Sequence, residues 1–303
     1  MLNPVRRSAA PRARPLAILG AILIAFALTG CAGSAADAAK LHGQARAALA
    51  RWADAVAAAG GPSPVVLVGE RTGQVGDWEA AVGDNNKRAL YAGMIVADSS
   101  LPVAAPPETK VVWQDGTSAT VRVISAQDAL VAIQGGTSGP CSDCTSLRIT
   151  AAKLTVGPIQ TSRGPATAPV WEFAVAGTAV KVTRVAIANA ITVVPPPWDA
   201  NDPPIGLAIE SASGTVGGRE LTVTFVGAPA PGDQPCGEDY TTEAVESDLA
   251  IVVIVTRHPH GLFEACSAVG ATRTATVNLA APLGDRVVLE VQQGLPVPVV
   301  LGP

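Results

Sequence analysis

The chain is poor in the side chains that most often carry chemistry. Its 303 residues include three histidines, two methionines and two tyrosines, and aromatics make up only 4%. The 21 basic and 25 acidic residues form no basic footprint for nucleic acid. There is no G-x-S-x-G elbow, S-x-x-K pair, P-loop or G-x-G-x-x-G turn. Long apolar runs are also missing after Leu28; the longest later one, Leu249–Val255 (LAIVVIV), is too short for a helical span and reads as a buried strand. At 48% hydrophobic, however, the chain is too apolar for disorder.

The N-terminal sequence has the layout of an export signal. Arg6, Arg7, Arg12 and Arg14 precede the apolar stretch Leu16–Leu28, which ends in Leu28-Thr29-Gly30-Cys31. This tetrapeptide resembles the bacterial lipobox. The resemblance implies removal of residues 1–30, a diacylglyceryl thioether on Cys31 and a place on the outer face of the cytoplasmic membrane. Removing the four arginines leaves 17 basic and 25 acidic residues, a net charge of −8. So acidic a body does not seek anionic lipid through its own charge. The expected membrane contact is therefore the lipid, with an envelope protein or glycan as a further partner and no cofactor.

Four other cysteines, Cys141, Cys144, Cys236 and Cys266, suggest two disulfides in an exported chain. Three pairings are possible. Cys141–Cys144 with Cys236–Cys266 is favoured because each bridge then stays within one domain. Chain entropy gives roughly 3–4 kcal/mol for the longer loop and about 2 for the shorter.

Periodicity and turn signals predict an α+β fold, predominantly antiparallel, with two small β-rich domains after an N-terminal amphipathic helix. In the stretch 31–61, Leu41, Ala45, Leu49, Trp52 and Val56 share one helical stripe, ended by Gly60-Gly61-Pro62. Residues 62–194 read as an α+β domain carrying the CxxC. Within it, Val65–Val68 reads as a strand, 75–93 as strand–turn–strand around Gly83-Asp84-Asn85-Asn86, and 110–123 as a hairpin about Asp115-Gly116. Ser125-Ala126-Gln127-Asp128 reads as a capping box opening a helix to about Gln134. Pro195-Pro196-Pro197 and Pro203-Pro204 mark a stiff linker, 195–204. Residues 205–303 read as a β-rich domain with the second disulfide and an extended tail after Pro296.

Three clusters are candidates for chemistry. Asp77, Trp78 and Glu79, with Asn85 and Asn86, combine an aromatic ring with the hydrogen-bonding groups of a glycan site, and Asp77 with Glu79 could form a carboxylate pair. His258 and His260 form the single His-x-His, a weak zinc or copper candidate. Asp233, Glu238, Asp239, Glu243, Glu246 and Asp248 read as a solvated acidic face. None supplies a nucleophile with its base, so no residue is assigned a catalytic role.

Two longer stretches, CSDCTSLRITAAKLTVGPIQTSRGPATAPVWEFAVAGTAVKVTRVAI (141–187) and TATVNLAAPLGDRVVLEVQQGLPVPV (274–299), carry a wider resemblance. With the lipobox and RWADAVAAAGG, they resemble uncharacterised secreted lipoproteins of high-GC actinobacteria. The excess of 16 arginines over 5 lysines fits such a genome. The resemblance implies a surface lipoprotein and no activity, and only Cys31 takes a role from it. The expected function is therefore a non-enzymatic binding or scaffold protein of the envelope. A cell-wall glycan enzyme and a metal-binding protein are the alternatives.

Overall fold

A computed structural model describes residues 19–302 except 136–138, 140, 192, 262 and 263, with the backbone alone for 19–34. The expected basic n-region and most of the loop before Cys141 lie outside these residues. The chain is mostly antiparallel β, with three helices among the described residues.

Helix α1 (Leu19–Ala58) is rich in alanine and buries Leu41, Ala45, Ala48, Trp52 and Val56 along one side. Gly60 and Gly61, both at positive φ, end it. The chain then builds a seven-stranded sheet from β1 (Thr72–Val75), β2 (Ile95–Ala97), β3 (Thr109–Trp113), β4 (Ser118–Val121), β5 (Leu147–Thr161), β6 (Gly164–Val175) and β7 (Lys181–Val185). The long β5–β6 hairpin is its spine, and β7 and β3 share the other edge of β6. Odd-numbered residues Trp171 and Phe173 face α2 (Gly83–Tyr91) and α3 (Ala126–Gln134). Ala166 and Ala168, of opposite parity, face a second core with Val111 and Trp113. Ser125 caps α3 as expected, its Oγ accepting the Asp128 N–H at 3.0 Å.

The C-terminal part is a sandwich. One sheet runs β12 (Ala271–Asn278), β9 (Glu220–Gly227), β8 (Ile209–Gly214) and β14 (Val299–Leu301). The other runs β10 (Glu238–Glu246), β11 (Ala250–Pro259) and β13 (Val287–Glu290). In β11, Ile251, Val253 and Val255 point into the space between the sheets. Ala250, Val252 and Ile254 point the other way, onto Leu41, Ala45, Trp52 and Val56 of α1. The sandwich thus has a third layer, supplied by a helix about 200 residues earlier in the chain.

Polar contacts hold that helix in place. Gln44 donates from Nε2 to the Ile205 carbonyl and accepts the Ile205 N–H, both at 3.0 Å. Arg51 donates to the Gln293 carbonyl at 3.1 Å. The turns it meets come very close. A Cβ on Gly206 (φ 85°) would lie 2.8 Å from Leu41 Cδ2, and one on Gly294 (φ 71°) 2.7 Å from Ala48 Cβ. Both positions need glycine for backbone angle and for space.

Three local expectations change. Residues 83–91 are helical, because Asp84 sits in the first turn, Arg88 lies one turn on at 3.6 Å, and Asn86, Ala89 and Leu90 make a buried face. The acidic stretch is β-like as expected, four of its six acids lying in strand β10. Its Tyr240 and Ala244 pack on the sandwich core, while Glu246 accepts from Arg286 at 2.6 Å. Val65–Val68 makes only isolated bridges, to Ile191 and Thr161. The tail after Pro298 becomes β14, parallel to β8.

Trp52 is 2% exposed and fills the seam between α1 and β11. Trp52→Ala is expected to lower the unfolding free energy by about 3–5 kcal/mol in denaturant titration. Amide exchange should rise in β11 and β13 before it rises in β5 and β6. Equal protection in both parts of the variant would contradict the three-layer packing.

Candidate functional site

Four of the five glycan candidates, Trp78, Glu79, Asn85 and Asn86, serve the fold. Trp78 is 8% exposed and lies in the core beside Ala89 and Val180, so its ring is no stacking platform. Glu79 accepts from the Thr178 hydroxyl at 2.7 Å and the Ala179 N–H at 3.3 Å, clamping the β6–β7 turn. These bonds hold its carboxyl below the ordinary range, as suits a fixed anion. Asn85 exchanges two hydrogen bonds with the Thr145 backbone, at 2.8 and 3.2 Å, and Asn86 is buried beneath it. Asp77 is exposed.

The cysteines pair as Cys141–Cys144 and Cys236–Cys266. Two groups of metal-ligand type converge among the described residues, Cys141/Asp143/Cys144 and Cys236/Glu264/Cys266, and in both the sulfurs are bonded to each other. The two histidines part company. His258 bonds Thr241 at 2.9 Å, whereas His260 bonds Glu264. Glu264 also accepts the Cys236 N–H, and these two contacts lower its pKa. His260 therefore braces the second disulfide loop.

The strongest site is one that sequence reasoning missed. A cavity of about 1230 Å³ opens between α2, α3, the segment 67–74 and the chain around Val193 and Leu295. A second, of about 520 Å³, lies against the same segment on the side of Thr155 and Glu172. The larger one is walled by Leu67, Leu90, Ile133, Ile191, Val193 and Leu295. It lies where the first sheet meets the sandwich, lined by Thr72 and Arg184 from the one and by Leu295 and Pro296 from the other.

Two arginines line this apolar space. Arg184 lies on β7 opposite Trp171 of β6 and Thr72 of β1. It shares the helix-covered face with Val182, because residues two apart on a strand point the same way. Its Nη1 donates to Thr72 Oγ1 at 2.7 Å, and its Nε is buried with no partner. Arg71, just before β1, donates to the Ala190 carbonyl. Burial, and secondarily the charge of Arg184, lower the Arg71 pKa to about 10, and burial lowers that of Arg184. Arg71 therefore stays protonated at neutral pH, at a cost in solvation that its surroundings do not repay. Among the described residues neither arginine has an ion-pair partner.

The sequence did hold one signal. In Lys181-Val182-Thr183-Arg184-Val185-Ala186, Arg184 falls on the parity of buried Val182 and Ala186. Nothing local marks Arg71.

One wall of the cavity is tied to the first disulfide. Helix α2, which contributes Leu90 and Tyr91, is held by Arg88 on Asp143 at 2.6 Å and by Asn85 on Thr145. Asn85→Ala is expected to raise amide exchange over 83–91 and to lower stability by about 1 kcal/mol. Unchanged exchange would show that α2 is held by its apolar face alone. The chain matches no family model, no curated protein and no solved structure.

Proposed function

We propose that this chain is a lipid-anchored, extracytoplasmic binding protein that holds a largely apolar ligand in the cavity between its sheet and its sandwich. The observation that carries the reading is the cavity itself. Its volume of about 1230 Å³ is ample for a small molecule, its wall is mainly apolar, and it contains a few polar groups aimed inward.

The anchor rests on the arginine-rich start, the apolar stretch and Leu28-Thr29-Gly30-Cys31. Among the described residues no helix is long and apolar enough to cross a membrane. Two disulfides suit an oxidising compartment. The architecture adds a reason for the anchor's position. Cys31 lies ten residues before Leu41 on the same helix, about 15 Å along its axis. A lipid there would hold the protein through the outer layer of the sandwich rather than through a loose tether.

Ala132, exposed on α3, borders the cavity, so a larger side chain there narrows it without entering the core. The neutral fluorophore N-phenyl-1-naphthylamine should bind the native chain one to one, and Ala132→Trp should weaken it at least about tenfold, equivalent to about 1.4 kcal/mol. Equal affinity in both proteins would place binding elsewhere. In cells, Cys31→Ser should move the chain out of the membrane fraction. Retention in that fraction would refute the lipid anchor.

A further inference from the structure

The cavity's charge runs against that of the chain. Overall the protein is acidic, with a formal charge of −4. Yet Arg71, Lys87 and Arg184 line the cavity against a single acid, Glu70, which is exposed. Two of the three cations are partly buried, next to one another, on the wall formed by β1 and β7.

Such a pair is unfavourable when empty. Each guanidinium has five N–H donors in a planar fork. Arg184 uses one on a threonine hydroxyl and leaves Nε sealed from solvent without an acceptor. Arg71 uses one on a backbone carbonyl. A neutral ligand would leave the two positive charges facing each other. A carboxylate or phosphate would accept two parallel bonds from a fork and cancel the repulsion. Away from the two arginines and the exposed Lys87, the wall is largely apolar, with Leu90, Ile133, Ile191, Val193 and Leu295.

We infer that the ligand is an anionic amphiphile, with an oxyanion head held between Arg71 and Arg184 and an apolar body against α2, α3 and the Ile191–Leu295 wall. This rests on the binding role proposed above and gives it a ligand class. The head chemistry is shared by fatty acids and alkyl phosphates, and the choice between them is left to the ligands themselves.

Three ligands differing only at the head provide the test on the full chain: dodecanoate, dodecyl phosphate and dodecanol, titrated by calorimetry. At least one anion should bind about tenfold or more tighter than dodecanol. Preference for dodecanoate would assign a carboxylate head, and preference for dodecyl phosphate a phosphate head. Arg184→Met and Arg71→Met should each weaken the preferred anion by about tenfold to a hundredfold, with the loss confined to the anions. Arg184→Lys, which keeps the charge but not the fork, should recover part of it. Dodecanol provides the control for folding, because a misfolded variant would lose all three.

Dodecanol binding as tightly as both anions would overturn the inference while leaving the cavity as the binding site. So would arginine variants that weaken all three ligands alike while Ala132→Trp still blocks them. Failure of every ligand, including the neutral fluorophore, would remove the binding role and the inference with it.

Discussion

Strand β11 has apolar side chains on both faces, and most of the architecture answers to that fact. Six successive residues, Ala250 to Val255, are at most 2% exposed. One face is covered by the β8–β9–β12–β14 sheet, which the local chain can build. The other requires a second layer, and among the described residues from 205 to 302 nothing supplies it. Helix α1 does, through Trp52, Val56 and their neighbours. The C-terminal sandwich therefore closes only with a segment from far earlier in the chain, and the seven-stranded sheet is an insertion between the two parts of that unit.

The insertion makes the site. Both connections of the sheet, near Val66 and near Ile191, return to the α1 side of the sandwich, where these two residues join its core. Leu67 to Gln74, Ile191 and Val193 to Pro195 then become walls of a cavity at the junction. A ligand held there would touch both halves of the molecule, and its binding would then be coupled to their relative placement. A lipid on Cys31 would enter through α1, at the layer on which both halves depend.

Much of this was legible where a local rule decides the outcome. The helix stripe at Leu41–Val56, the Ser125 cap, the Asp115-Gly116 hairpin and the strand at LAIVVIV all follow from spacing and turn chemistry, and each is present. Reading failed where local and tertiary signals compete. Gly83-Asp84-Asn85-Asn86 is turn chemistry by composition, but burial of Asn86, Ala89 and Leu90 makes it the start of a helix. The polar look of Asp77–Asn86 suggested a ligand site, yet Glu79 holds a turn and Asn85 holds α2 in place, while Trp78 is buried. The site that replaces it joins Arg71 and Arg184, more than a hundred residues apart in sequence and brought together by the β1–β7 ladder. Only the parity of Arg184 hinted at it. That α1 covers β11 was not legible either, because an apolar run records that both faces are buried and not what buries them.

Under the proposed function, the two arginines are held for a ligand and work against the empty fold. A desolvated charge without a counter-charge costs free energy, and an apolar side chain of similar length does not carry that cost. The direct test is the denaturant midpoint of the ligand-free Arg184→Met chain against that of the native chain. The expected midpoint is higher, because the substitution removes a partly buried charge and an unpartnered Nε and loses only the bond to Thr72. A clearly lower midpoint would make Arg184 a structural residue and contradict the claim.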